Sequence, residues 1–502
     1  MFTAIPALQK PALPLARMFQ IFVVLAAAWV VADRIQIASG LPLWLDETWS
    51  GMIATRSDWS SFWREVWLDC NPPLYYLFLT GWVTVFGDSN LMLRLPSVFF
   101  VVCAAALPLV WRPQGLNRTG AWTWGALILF WQPGLFIMLD ARGYGLMILL
   151  ATISCLVVAR LFEQLSRSGA ALWVLIGTLM FLTHYYAAAL LIGQGVLLLQ
   201  RHRVELMRMW PICLIALPGL GWFAYHLPRL QDYGRADVIW YEPTGLVSTF
   251  EHFLFVFGAH YIVAFGVVVA VVIAIVHRPP GAMARMPGNR NLVLTVCAAA
   301  IGFAVAISVG SVQPSLADRY FVPVVPAAML GLALLTQRCA RQEVAALVLT
   351  FAFFLPEFDA DYARNAAHNR AIYGYEEGSE FVSLYRPDRL LFVWDHPAAK
   401  ILDDASLKGI GGYFLDRADA NTPTQSLNVA QDDDANEVLR VAADSERPAV
   451  IWLYNTARRS AARGHPPTFE DDPAWTCRHH HRETSNAGQL GSIACVKLGD
   501  AR

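Results

Sequence analysis

The chain reads as a polytopic α-helical membrane protein with a small soluble α/β domain at its C-terminal end, and three observations predict this. Hydrophobic residues make up 56% of its 502 positions and charged residues only 15%. Apolar windows of about 20 residues, the length that crosses the hydrocarbon, recur as far as Pro356. Beyond Pro356 the composition turns charged and is punctuated by Pro and Gly. A mean hydropathy of +0.42 exceeds what a soluble domain needs to fill its core. With a net charge of -1, bulk attraction to nucleic acid is excluded, so membrane lipid is an expected partner and nucleic acid is not.

The windows predict about eleven spans, near 18–38, 94–111, 120–139, 143–163, 170–185, 186–200, 209–226, 259–277, 291–311, 319–337 and 343–356. Lys10 and Arg17 precede the first, as in a secretory signal, but no small-residue cleavage site follows, and it is read as an anchor. Arg112, Arg118, Arg160, Arg167, Arg201, Arg203, Arg208, Arg278, Arg285, Arg290, Arg338 and Arg341 fall in alternate loops, which the positive-inside rule turns toward the cytoplasm. The intervening loops hold Asp46, Glu47, Asp140, Asp232, Glu242 and Asp318 and face outward, together with the C-terminal domain. Leu74–Phe86 is apolar, yet counting it as a crossing inverts every later loop against the arginine bias. About 13 residues of helix rise only some 20 Å. The segment is therefore expected to lie along the interface, where Tyr and Trp favour the headgroup level.

Past Pro356, the runs Leu390–Trp394 and Ala449–Tyr454 predict strands, and 365–385 and 433–443 predict helices. Two domains follow, a membrane domain over 1–356 and an outer α/β domain over 357–502. Gly409–Gly412 reads as a turn. His479–His481 reads as solvated loop, because contiguous histidines cannot all face one metal ion. Asp432–Asp434 lacks the spacing of a calcium loop and reads as a helix N-terminus. Cys103, Cys155, Cys213, Cys297 and Cys339 lie in or beside apolar runs where sulfur packs. Cys477 and Cys495 flank a polar segment and are expected to form a disulfide in an oxidising compartment.

Chemistry concentrates in the outer loops. Asp46-Glu47 directly follows the first span and sets two carboxylates at the membrane surface, a place for a general base, although any outer loop also holds acids in water. Asn71-Pro72-Pro73-Leu74-Tyr75-Tyr76 reads as a helix start, with Asn71 as its cap and proline in the first turn. Arg94, in Arg94-Leu95-Pro96-Ser97, begins the next span, where it either pairs with a phosphate or snorkels to headgroups. Asp140-Ala141-Arg142-Gly143-Tyr144 leaves no room for a solvated loop, so both charges are held at the rim, as a site or as a pair that neutralises itself. Thr183-His184-Tyr185-Tyr186 is another outer turn, whose tyrosines are explained by interfacial anchoring more readily than its histidine. Asp318-Arg319-Tyr320 adds a third arginine, and three guanidinium forks on one surface point to phosphate or diphosphate. No Walker loop or dinucleotide fingerprint is present.

Taken in this order, over roughly residues 18–356, these motifs resemble the GT-C superfamily of integral membrane glycosyltransferases, similar to protein mannosyltransferases, the lipid A aminoarabinose transferase and bacterial RgtA/B/C/D-like enzymes. No single motif is specific; their order is. The resemblance implies a GT-C fold, a polyprenyl-phosphate sugar donor, a catalytic aspartate in the first outer loop and interfacial helices in that loop. Asn71 stands where the family often has histidine, and Asp140 where it often has glutamate. On this reading Asp46 deprotonates an acceptor hydroxyl that attacks the anomeric carbon with inversion as the lipid phosphate leaves. Arg94, Arg142 and Arg319 stabilise that phosphate, while Glu47, Asp140, His184 and Tyr185 orient acceptor or sugar, with Asn71, Tyr75, Tyr144 and Tyr320 in binding positions. No cofactor is assigned, and a divalent metal ion is left open. The acceptor is a glycan, lipid or protein that the outer domain helps to position. The expected location is the bacterial inner membrane, with site and C-terminal domain facing the periplasm. The alternatives are a transporter or flippase, which usually shows paired repeats and broken spans not found in this sequence, and a receptor-like binder of a lipid-linked or phosphorylated ligand.

Overall fold

The structure is a computed structural model and describes residues 14–235, 243–258, 261–276, 289–339, 341–358, 375–395, 403–417, 422–428, 440–455, 469–485 and 488–498. Lys10, Glu242, Arg278, Arg285, the stretch 365–374, the Asp432–Asp434 run and the rest of the helix expected to start at Asp433, up to 439, lie outside the described residues.

Up to Phe358 the described chain is helical. A long first helix, α1 (Leu15–Gly40), leads into three short ones, α2 (Leu45–Ala54), α3 (Trp59–Leu68) and α4 (Leu74–Phe86). The bundle continues with α5 (Asn90–Val110), α6 (Arg118–Leu129), α7 (Gln132–Ile137), α8 (Tyr144–Glu163), α9 (Arg167–Phe181), α10 (Ala187–His202) and α11 (Val204–Met207). It closes with α12 (Leu217–Arg235), α13 (Leu246–Val256), α14 (Tyr261–Val276), α15 (Asn289–Val312), α16 (Val325–Gln337) and α17 (Gln342–Phe354). Asp58, Ser89, Asn117 and Ser166 start α3, α5, α6 and α9 by accepting a backbone N–H two or three residues into the helix. Asn71 does not cap α4 as expected. That helix begins only at Leu74, whose N–H goes to the Leu182 carbonyl (3.0 Å), and the Asn71 amide instead donates to Asp69 (3.1 Å). α4 stops at Gly87, where a φ of +82° favours glycine.

Among the described residues, six stretches are long and apolar enough to cross a membrane: Leu15–Gly40, Asn90–Val110, Tyr144–Glu163, Trp210–Gly234, Asn289–Val312 and Asp318–Gln337. The protein is an integral membrane protein. The other windows read as crossings hold shorter helices among the described residues, α6, α9, α10, α14 and α17, of 12 to 16 residues. Proline explains two of the departures. The 120–139 window breaks where Pro133 opens α7, and the 319–337 window starts as a 3-10 turn, Asp318–Val324, containing Pro323 and running into Pro326 of α16. Helices approach closely where glycine permits: a Cβ on Gly193 of α10 would collide with the Ala298 carbonyl oxygen of α15. Small residues serve this way in lipid, where burial alone does not drive helices together.

Among the described residues, the C-terminal part forms a five-stranded sheet, β1 (Arg389–Asp395), β2 (Thr424–Asn428), β3 (Pro448–Asn455), β4 (Trp475–Ser485) and β5 (Gly488–Lys497), in the order β2-β1-β3-β5-β4. β1 pairs parallel with β2 and β3, while β3–β5 and β4–β5 are antiparallel. Strand alternation sends Leu390, Phe392, Trp394, Ile451 and Leu453 to the face covered by α18 (Tyr375–Tyr385) and α19 (Asp404–Arg417), and Leu391, Val393, Val450 and Trp452 to the other. The helix-covered face shares one hydrophobic cluster with the membrane bundle. Gly409–Gly412 is not a turn but lies within α19, because the absent side chains let that helix settle on Phe392 from one side and on Met52 and Arg56 of the membrane half from the other. His479–His481 is not a loop either. It belongs to β4, held by the β5 ladder, with His480 buried and its Nδ1 3.2 Å from Glu377. Cys477 and Cys495 stand opposite each other in that ladder and are joined by a disulfide.

Gly193→Val is expected to force α10 from α15 and to destabilise by about 1–3 kcal/mol, the range of overpacked cores. Thermal unfolding in detergent reads this, and Gly221→Ala, whose Cβ meets nothing within 4 Å, is the control expected to unfold like the wild type.

Candidate active site

Adjacent residues on a helix point about 100° apart, so the two acids that open α2 face different surroundings. Glu47 turns inward and is 0% exposed. Its carboxylate accepts from Arg94 Nε (2.8 Å), Arg94 Nη2 (2.6 Å) and the backbone N–H groups of Ala141 (2.9 Å) and Trp44 (3.3 Å). Arg94, also 0% exposed, gives its other N–H groups to the carbonyls of Ala38 (3.1 Å), Leu41 and Pro42 (2.8 Å). All five guanidinium donors and the carboxylate's acceptor sites are thereby filled. The expectation that Arg94 meets a phosphate and Glu47 a sugar is corrected: both are sealed from solvent, and neither keeps a hydrogen-bonding group for a ligand.

Asp46 faces the other way, with its side chain 27% exposed. Arg142 approaches it loosely, Nη2 lying 3.6 Å from Asp46 Oδ2 and Nη1 3.3 Å from the Asp46 carbonyl oxygen and 3.5 Å from the Tyr76 hydroxyl. The tight turn between α7 and α8 sets Arg142 there. Ser97 Oγ donates to the Asp140 carbonyl (2.6 Å), Trp44 Nε1 donates to Asp140 Oδ1 (3.2 Å), and the Ala141 N–H is the one held by Glu47. The Asp140 carboxylate thus ties this turn to the start of α2.

Asn71, Tyr75, Tyr76, Arg142, Tyr144 and His184 line a narrow cleft of about 10 Å³, close to the space of one water. Asp69, absent from the expected set, ends α3 beside it and accepts from Asn71 Nδ2 (3.1 Å) and from the Tyr76 hydroxyl. Its charge acts on Arg142 together with that of Asp46. The signal that marked it was its place two residues ahead of the Asn71-Pro72-Pro73 motif. His184 packs against Tyr320 (ring centroids 4.7 Å) and Tyr144 (5.7 Å), and Arg319 lies over the Tyr320 ring (5.8 Å). Neighbouring residues of the same turn diverge. Tyr185 does not line the cleft; its hydroxyl meets His226 Nδ1 (2.6 Å) and Trp222 Nε1 (3.0 Å) of α12. Burial pulls the His184 pKa down to about 3, with repulsion from Arg142 and Arg319 adding to it, so the imidazole is neutral at physiological pH. No three His, Cys, Asp or Glu side chains gather as a metal site among the described residues.

A helical membrane bundle, short acid-bearing helices after its first span, and an α/β unit seated upon them make up the fold, which is that of known membrane-protein structures. The solved structures it resembles include ArnT from Cupriavidus metallidurans. The apo state of that protein superposes with a TM-score of 0.56 at 10% identity, covering 96% of this chain and 98% of that one. The state bound to undecaprenyl phosphate gives 0.56 at 11% identity, covering 95% and 98%. No protein-family profile and no curated protein matches the sequence.

Arg94→Ala leaves the Glu47 carboxylate buried and unpaired, and is expected to cost about 3–5 kcal/mol. Thermal unfolding at constant detergent checks this; a loss comparable with that of an exposed arginine would deny the pair its structural weight. A second expectation concerns pH. The imidazole takes up a proton below about 6.5 when unfolded and only near 3 when folded, so the unfolded state binds more protons in between and stability falls as pH drops through that window. Unfolding midpoints measured from pH 7 to 4 should fall more steeply for the wild type than for His184→Gln.

Proposed function

We propose that the protein is a lipid-linked sugar transferase of the GT-C type, moving a sugar from a polyprenyl-phosphate donor to the hydroxyl of a lipid, glycan or protein on the outer face of the bacterial inner membrane. The observation that carries this reading is a partly exposed carboxylate, Asp46, beside a loosely held guanidinium, Arg142, at a cleft lined by polar and aromatic side chains. A base and an anion partner stand next to each other, as displacement of a phosphate by an alcohol requires. Asp46 takes the proton of the acceptor hydroxyl, whose oxygen forms a bond to the anomeric carbon from the face opposite the leaving phosphate, giving inversion. The bond from that carbon to the phosphate oxygen breaks, and Arg142 and Arg319 take up the charge developing there. Asn71, Tyr75, Tyr144 and His184, which line the cleft, and Tyr320, which packs on His184, part to admit the sugar and bind it, with His184 acting as a neutral hydrogen-bonding group.

The ArnT structure bound to undecaprenyl phosphate supports a polyprenyl donor. Hydrocarbon of such a donor finds apolar surface between α13, α15 and α16, where a cavity of about 400 Å³ is lined by Phe253, Phe303, Val324 and Leu332, just past Arg319-Tyr320 in the chain. The arginine-rich loops orient the bundle with Asp46 outward. The Cys477–Cys495 bridge supports an oxidising compartment for residues 357–502, the outer domain, with 1–356 as the membrane catalytic domain.

Asp46→Asn is expected to lower transfer of labelled sugar from polyprenyl-phosphate donors by about 10²–10⁴-fold, the usual worth of a general base, at unchanged unfolding midpoint. Folded wild-type protein that turns over no donor from a verified pool would sink the proposal.

A further inference from the structure

The C-terminal domain meets the membrane half on the segment that carries Asp46. In the first turn of α18, Glu376 Oε2 accepts the Leu43 N–H (3.2 Å), three residues ahead of Asp46. Both Glu376 oxygens also accept from Asn90 Nδ2 (2.8 and 2.7 Å) at the first residue of α5. Asn90 Oδ1 in turn accepts from Arg417 Nη1 (3.0 Å) at the end of α19. Midway along α19, Tyr413 lies so close upon Gly51 of α2 that no side chain fits at that glycine. At the start of α19, Ser406 Oγ donates to Glu65 Oε2 (2.8 Å); Glu65 belongs to α3, is 1% exposed, and also accepts from Arg64, which pairs with Asp403.

Glu376 and Arg94 hold the same two stretches of chain from different sides. Arg94 binds the carbonyls of Leu41 and Pro42 and the carboxylate of Glu47. Glu376 binds the N–H of Leu43 and, through Asn90, the beginning of the helix on which Arg94 stands. Asp46 lies within the span so fastened. We infer that the C-terminal domain is a positioning element of the active site and that Glu376 is the residue through which it fixes Asp46. This rests on the glycosyl-transfer reading above. Glu376 is a positioning residue and not a catalytic one, since its carboxylate is engaged by the Leu43 N–H and the Asn90 amide and acts on Asp46 only through the chain that Leu43 belongs to. A misplacement of about 1 Å at a reacting group lowers rate by as much as about 10²-fold, so loosening Leu43 should reduce turnover while leaving donor binding intact.

The test uses the full-length protein in membranes holding a polyprenyl-phosphate sugar, with Glu376→Ala and Glu376→Gln. Glu376→Ala is expected to lower kcat about tenfold or more, with the donor KM held within about twofold. Glu376→Gln keeps a carbonyl acceptor for the Leu43 N–H and should recover most of the rate. Amide hydrogen exchange over residues 43–46 should quicken in Glu376→Ala and stay near wild type in Glu376→Gln. Unchanged kcat in Glu376→Ala, alongside an active wild type, overturns the inference. A raised acceptor KM at constant kcat also overturns it and makes the domain an acceptor-binding unit. If the wild type itself turns over no donor, the glycosyl-transfer reading fails, and the exchange data alone then decide whether Glu376 holds this segment.

Discussion

Glu47 and Arg94 are both shut away from solvent, and each has its hydrogen-bonding capacity filled by the other and by backbone. Such a pair adds little net stability compared with well-packed apolar side chains of the same size, because two charges have lost their hydration. Its effect is geometric. Through it the chain leaving α1 at Ala38, Leu41 and Pro42, the first turn of α2, the body of α5 and the Ala141 turn are brought to one point. With Glu47 pinned, the phase of α2 is set, and Asp46 has one direction left, toward Arg142.

Much of this was legible in the residues, for reasons that can be named. The order of motifs pointed to a set of loops, and from them Asn71, Tyr75, Arg142, Tyr144 and His184 come together around one cleft although 113 positions separate the first from the last. What stayed hidden was how neighbours divide. Asp46 and Glu47 are chemically near-equivalent in a sequence, and only helical phase separates the exposed acid from the buried one. Arg94 carried the same apparent message as Arg142, because sequence displays a charge without showing what neutralises it. Tyr185 beside His184 is the same lesson in a turn, where successive side chains point to opposite walls.

The C-terminal sheet region was legible in its strands and less so elsewhere. Leu390–Trp394 and Ala449–Tyr454 announced themselves as apolar runs and fall within β1 and β3. Gly409–Gly412 followed local propensity to a turn, but tertiary packing against Phe392, Met52 and Arg56 requires small residues inside a helix at that point. Polar His479–His481 gave no apolar signal, and pairing with β5 made it strand regardless. Glu376 belongs to no local pattern and matters through partners that only folding brings near, whereas Asp69 stands next to a motif and meets partners two and seven residues on.

Leu43 and Glu376 are 333 residues apart. A ribosome working at about 5–20 residues per second needs on the order of tens of seconds to travel between them. The short helix that carries Asp46 is therefore made well before α18, and it waits through the making of the helices between them for the strut that completes its surroundings. With Glu376 as that strut, the surroundings of Asp46 are completed only once α18 has been made and has folded against Leu43 and Asn90.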